Sequence, residues 1–306
     1  MEKKNIIKIK ANDLMGRGEF LKRLGGGAAV TAAALAGCDK SAVSTSETLG
    51  EVPTDKMTYR VNKEKGDRVS ILGYGCMRWP TRKRDDGEGE EIDQETVNGL
   101  VDYAISHGVN YFDTSPVYVR GWSEKATGIA LSRHPRNSYF LATKLSNFSN
   151  HTRENSMLMY RRSFEELQTD YIDYYLLHSI GGSMGEFNSR YMDNGMLDFL
   201  IGEREAGRIR NLGWSFHGRK EVFDEILALH EKVHWDFVQI QLNYSDWRNA
   251  RGNNVNAEYL YAELEKRSIP AVIMEPLLGG RLSNVPDHIA ARLKTASPDS
   301  SVASWA

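Results

Sequence analysis

The sequence holds only two cysteines, Cys38 and Cys76, in unlike surroundings, which argues against a disulfide framework and against a cysteine-ligated metal site. It has no excess of either charge. The 39 basic and 41 acidic residues leave a formal −2, so the electrostatic footprint of a nucleic-acid-binding protein is absent. The uncharged run 24–37, LGGGAAVTAAALAG, is too short to cross a bilayer, which takes about 20 apolar residues. A glycine-rich dinucleotide fingerprint is missing too, because Gly73-Tyr74-Gly75 has no third glycine. Histidines do not cluster with acids, which disfavours a metal-dependent hydrolase.

What is present begins with a distinct leader. Residues 1–23 are basic and polar, with Lys3, Lys4, Lys8, Lys10, Arg17, Lys22 and Arg23, and the small apolar run follows them. That order reads as an export signal spanning 1–38. Its end, Leu35-Ala36-Gly37-Cys38, resembles a bacterial lipobox, in which the cysteine becomes the lipidated mature N-terminus. Arg17-Gly18-Glu19-Phe20-Leu21-Lys22 resembles a twin-arginine motif with Gly18 in place of the second arginine. Residues 39–56 are rich in Ser, Thr and acidic side chains and read as a flexible tether. The expected product is an exported, membrane-anchored lipoprotein facing the periplasm or the cell exterior, attached through Cys38.

From residue 57 to 306 the chain alternates short apolar runs with amphipathic stretches. Strands are expected at 69–76, 110–114, 139–145, 172–178, 209–216, 237–243 and 271–276. Their unbroken apolar character suits strands buried on both faces. Helices are expected at 94–107, 123–133, 153–168, 192–206, 220–231 and 256–267, with Asp93 and Asn256 as N-caps and Gly108 and Gly207 as stops. Polar residues close nearly every strand: Asp113, Lys144, His178, Ser215, Asn243 and Glu275, at spacings of 31, 34, 37, 28 and 32. Each interval is one βα unit. Polar residues on several strand ends favour a barrel over a doubly wound sheet. The expected fold is therefore an α/β, TIM-type (β/α)8 barrel. Only seven strands are found before the final SVASWA, so the barrel is expected to lack its last strand and helix.

Four residues on consecutive strand ends form a chemical set: Asp113 and Tyr118 in NYFDTSPVY, Lys144 in LATK, and His178 in YYLLH. Hydride arriving at a carbonyl carbon leaves a negative oxygen that needs a proton. A tyrosine can supply it if a neighbouring lysine stabilises the phenolate and so lowers the tyrosine's pKa. An aspartate would hold that lysine, and a histidine would hydrogen-bond the carbonyl oxygen. Each residue alone has an ordinary structural explanation; the set in this order does not. Cys76 reads as a small buried apolar residue. The charged stretch 82–91 reads as a solvated loop, and its place on the catalytic face also suits a lid.

These segments, with LGWSFH, VQIQLNY and MEPLLGG, resemble the aldo-keto reductases over about residues 68–306. The resemblance implies Tyr118 as acid/base, Lys144 and Asp113 as its tuners, and His178 as the group that orients substrate. It implies cofactor contacts from Ser215, Gln241, Tyr244, Glu275, Pro276, Leu277 and Gly279, with Phe216 standing where the family often has asparagine. Asn243 and Tyr244 are adjacent candidates for the ring that stacks on nicotinamide. The implied cofactor is NADPH, with NADH as the alternative, and the implied substrate a small aldehyde, ketone or sugar-like carbonyl. LGYGCMRWP, SFHG and MEPLLGGRL resemble a bacterial branch that often carries a C-terminal ferredoxin-like cysteine cluster. No such cluster occurs in these 306 residues, so no iron–sulfur centre is assigned to them, and no metal-ligating residue is expected among them. The competing reading is a barrel that binds nucleotide without turning it over.

Overall fold

The computed structural model describes residues 51–305 apart from 63, 64, 251 and 253. The export signal, Cys38 and most of the tether lie outside the described residues. The chain from Glu51 onward clusters as one compact unit.

In chain order the strands are β1 (Tyr59–Val61), β2 (Arg68–Ser70), β3 (Tyr74–Gly75), β4 (Thr81–Lys83), β5 (Glu90–Ile92), β6 (Tyr111–Asp113), β7 (Phe140–Leu145), β8 (Ile172–Ile180), β9 (Ile209–Phe216), β10 (Phe237–Gln241) and β11 (Ala271–Met274). The helices are α1 (Gln94–Ser106), α2 (Ser123–Leu131), α3 (Arg153–Leu167), α4 (Met184–Phe187), α5 (Met196–Glu205), α6 (Lys220–Ala228), α7 (His230–Val233), α8 (Ala257–Lys266) and α9 (Asp287–Ala296). Asp93 caps α1 by accepting from the Thr96 amide, and Asn256 caps α8 by accepting from the Tyr259 amide. Gly108 and Gly207 both take the left-handed conformation that ends a helix.

Seven strands make one parallel sheet, ordered β11-β10-β9-β8-β7-β6-β3. The sheet curls. Gln239 of β10 hydrogen-bonds Asp113 of β6 although the two strands are not neighbours. Arg78 after β3 and Glu275 after β11 form a 3.8 Å ion pair from the two sheet edges. Inside the curl, Tyr111, Ala142, Tyr174, Leu176 and Phe237 form a small core. Outside it, strands and helices bury two larger clusters. The bigger one includes Tyr175, Leu177, Trp214 and Phe216 beside Val222, Phe223, Ile226 and Leu227 of α6. These α6 residues recur at helical spacing, which gives the helix one face to bury. Truncating Phe223, which is fully buried, would cost about 3–5 kcal/mol.

Three local expectations are corrected. The first expected strand, 69–76, is two elements: β2 pairs with β1 as an antiparallel hairpin, and only β3 joins the barrel sheet. The hairpin sits at the N-terminal end of the barrel, where Asp67 accepts from Tyr174 and Asn211. The stretch 82–91 is not a plain loop, because β4 and β5 pair antiparallel with Arg82 bridging Glu91 at 2.8 Å. Finally, the expected helix 192–206 begins only at Met196, and α4 and a π-helical turn over Asn188–Met192 precede it.

Candidate active site

The parallel register sets the site. Asp113 lies opposite Ala142 and Lys144 opposite Leu176, which stacks the C-terminal ends of β6, β7 and β8 side by side. Lys144 is buried, at 1% exposure, and its ammonium donates to Asp113 Oδ1 and to the Thr114 carbonyl at 2.8 Å. The ammonium also lies 4.9 Å from the centre of the Tyr118 ring. That ring meets His178 edge-on, with centroids 5.8 Å apart. All four expected catalytic residues therefore converge on one mouth.

Tyr118 is held by an unusual turn. The next two residues, Val119 and Arg120, have φ of 49° and 59°. A β-branched valine in the left-handed region is strained by roughly 1–3 kcal/mol. The turn is closed by Tyr118 N–H donating to the Ser115 carbonyl and Trp122 N–H to the Val119 carbonyl.

The electrostatics correct one expectation. Burial raises the Tyr118 pKa, Lys144 opposes that rise, and Asp113 adds to it, so the net direction is upward and not downward. The phenol thus stays protonated at neutral pH. Lys144 remains charged: burial works against its charge, but Asp113 and Tyr118 more than offset it and raise its pKa. Burial, with Lys144 and Arg190 nearby, pushes His178 down to about 2, so the imidazole is neutral. Its Nδ1 faces the hydroxyls of Ser146 at 2.5 Å and Ser115 at 3.3 Å, and these hydroxyls lie 2.9 Å from each other. In the tautomer where a serine hydroxyl donates to Nδ1, the proton sits on Nε2 and that nitrogen is the one that can donate outward.

Several residues of this site are not in the set read from the sequence. Gln239 donates to Asp113 Oδ2 at 3.1 Å. Ser115 and Ser146 bracket His178. Arg190, 1% exposed, donates to the His178 carbonyl at 2.7 Å and to the Tyr191 hydroxyl at 2.6 Å. Strand alternation offers a signal for Gln239, which precedes Gln241 by two within β10 and so falls on the same side of the strand. Ser115 and Ser146 lie just past the ends of β6 and β7, where alternation no longer applies. No comparable periodicity marks Arg190, which sits in a π-helical turn.

The expected cofactor contacts lie at the ends of β9, β10 and β11. The Ser215 hydroxyl accepts from the Ser179 amide at 2.7 Å and keeps its own proton to donate. Gln241 spends its amide nitrogen on Asp246 at 2.7 Å, a contact that leaves its carbonyl oxygen as an acceptor. Of the two adjacent ring candidates, Asn243 is buried and donates to Asp246 and to the Glu275 carbonyl. Tyr244 is 43% exposed, so it is the one with a ring face to offer. After β11, Glu275, Leu278, Gly279 and Gly280 all have positive φ, forming a tight turn that includes Pro276 and Leu277. Together these groups fit a nicotinamide nucleotide: a donor and an acceptor for the carboxamide, an aromatic face for its ring, and a glycine turn for close approach of phosphate. Phe216 offers no polar group there, because it is buried against Trp214 and Phe223.

Comparison with known proteins gives the family and the fold. The profile of the aldo/keto reductase family matches residues 71–300. A holo aldo-keto reductase from Bacillus halodurans superposes with a TM-score of 0.62 at 24% identity, covering 80% of this chain and 79% of that one. Among curated proteins, the D-arabinose 1-dehydrogenase of Saccharomyces cerevisiae is 36% identical over 99 residues, 30% of this chain. The probable aldo-keto reductase 1 of Glycine max is 26% identical over 195 residues, 60% of this chain. The matched stretches span 29% and 50% of those two relatives' own length.

The fold is that of the aldo-keto reductase barrels, with a seven-stranded curled sheet. The chain belongs to the aldo/keto reductase family.

Proposed function

We propose that this protein reduces aldehyde, ketone or sugar-like carbonyls to alcohols. The observation that carries the reading is the convergence of Asp113, Lys144, Tyr118 and His178 at three adjacent strand ends. A bound nicotinamide nucleotide, NADPH or alternatively NADH, would supply the hydride, held by Ser215, Gln241, Tyr244 and the turn Glu275, Pro276, Leu277 and Gly279.

Neutral His178 donates from Nε2 to the substrate oxygen and orients it. As negative charge grows on that oxygen, Tyr118 gives up its hydroxyl proton. The phenolate left behind is stabilised by Lys144, whose charge is anchored by Asp113 and by the Thr114 carbonyl. The same burial that keeps Tyr118 protonated makes this charge stabilisation stronger than it would be in water.

The test is NADPH titration of the protein by nicotinamide fluorescence, followed by addition of a reactive aldehyde. The expected result is binding, then aldehyde-dependent oxidation that Tyr118→Phe abolishes while binding persists. Turnover undiminished in Tyr118→Phe would overturn the assignment. Binding without turnover on a broad carbonyl panel would favour the nucleotide-binding barrel instead.

We further propose that residues 1–38 direct export and that Cys38 is acylated. The basic segment, the short apolar run and the Leu-Ala-Gly-Cys ending support this. Labelled palmitate should enter the wild type and not Cys38→Ser, and equal labelling of both would refute the anchor.

A further inference from the structure

Phe148 is an apolar ring left exposed beside the catalytic imidazole. It lies three residues past the end of β7, is 43% exposed, and its centroid is 5.1 Å from that of His178. Its position is rigidly backed. The Arg190 guanidinium lies 4.6 Å from the ring centre. That guanidinium is itself tied to the His178 carbonyl, the Tyr191 hydroxyl and Glu186 at 2.9 Å. An aromatic ring kept in water loses the stabilisation that burial would bring, and the pedestal holds it there.

Three polar side chains beneath the ring are already engaged, while Ser149, Asn150 and His151 stay exposed beyond it. Ser115, Ser146 and Asn147 are each 3% exposed or less. The two serines bond each other and His178. Asn147 donates to Ser156 and to the Arg190 carbonyl, both at 2.9 Å, and accepts from the Arg190 guanidinium. Val117, next to Tyr118, is also 43% exposed. A polyhydroxylated substrate would gain no partner from Ser115, Ser146 or Asn147. A flat apolar group would stack on the exposed Phe148 ring.

We infer that the non-reacting part of the substrate is aromatic and stacks on Phe148, which makes Phe148 the residue that selects aromatic carbonyls over sugars. This rests on the reductase reading for the identity of the reacting group. The stacking site itself is tested without it.

The experiment uses the whole protein with two readouts. The first is binding of 4-nitrobenzyl alcohol, a product-side probe, by saturation-transfer NMR with no turnover. The second is steady-state kinetics with 4-nitrobenzaldehyde and with glyceraldehyde. Binding of the alcohol should weaken about tenfold in Phe148→Ala and return in Phe148→Tyr. The KM for 4-nitrobenzaldehyde should rise by a similar factor, and several-fold more than any change in the KM for glyceraldehyde. Equal binding by wild type and Phe148→Ala would overturn the inference, as would a KM for glyceraldehyde below that for 4-nitrobenzaldehyde. If neither aldehyde turns over but the alcohol still binds through Phe148, the reductase reading fails and the aromatic site stands.

Discussion

The amide of Gln239 donates to Oδ2 of Asp113 at 3.1 Å, while Lys144 takes the other carboxylate oxygen. The aspartate is thereby held from two strands at once. Gln239→Leu should leave that oxygen without its donor and cost about 1–3 kcal/mol in stability. Because Asp113 fixes Lys144, turnover should fall several-fold with cofactor affinity little changed. Urea unfolding and kinetics on the one variant check both, and wild-type turnover would show that Lys144 holds Asp113 unaided.

Ser146 should control the tautomer of His178. Ser146→Ala removes the nearer donor to Nδ1, and kcat should fall about tenfold through loss of orientation, with recovery in Ser146→Thr. The histidine also sets an acid limit on stability. It titrates near 6.5 when free and at about 2 when folded, so folding favours its neutral form. That contribution is fully present above pH 6.5 and is lost as pH falls toward 2. The wild type should lose up to about 1.4 kcal/mol per pH unit from this one group between about pH 6 and 4. His178→Gln should lack that part of the slope in acid-unfolding curves.

Glu124 of α2 is 1% exposed, and it accepts from the Thr143 hydroxyl at 2.5 Å. Burial raises its pKa from 4.5 to about 7, against the hydrogen bonds that lower it. Folding thus favours the protonated acid. The associated stability is fully present below pH 4.5 and is lost as pH rises through 7. Glu124→Gln should therefore be more stable than wild type at pH 8, by about 3 kcal/mol at most, and the two should converge below pH 4.5. Convergence at both pH values would mean that Glu124 is ionised in the fold at little cost.

Gly181 and Gly218 let two catalytic-face loops touch. A Cβ on Gly218 would lie 2.1 Å from the Gly181 carbonyl oxygen, and φ there is +156°. These loops follow β8 and β9 directly, and Ser179 and Ser215 at the ends of those strands are themselves hydrogen-bonded. Gly218→Ala should destabilise the protein by about 3 kcal/mol and weaken NADPH binding more than it slows turnover at saturation. Unaltered thermal unfolding would refute the close-packing role.

Much of the barrel was legible because parallel strands covered on both faces need continuous apolar runs, and β8 and β9 are almost wholly buried. Helix boundaries followed from caps such as Asp93 and Asn256, whose side chains act on amides only three residues away. The reading failed where local signals coincide. Residues 69–76 look like one strand, yet β2 turns away to pair with β1, because Asn110 captures the Ser70 amide and the chain bends before Tyr74. The π-helical turn that delivers Arg190 has no sequence period to betray it.

Residue type and order alone determined the βα alternation, the candidate set of Asp113, Tyr118, Lys144 and His178, and the family to which they point, since these depend on spacing along the chain. Tertiary structure alone decided the direction of the Tyr118 pKa, the neutrality of His178, the roles of Gln239, Ser115, Ser146 and Arg190, and the exposure of Phe148. These depend on which groups from distant strands share a low-dielectric volume, and on what water can still reach. Distance and desolvation are properties of the folded chain and have no counterpart in sequence spacing.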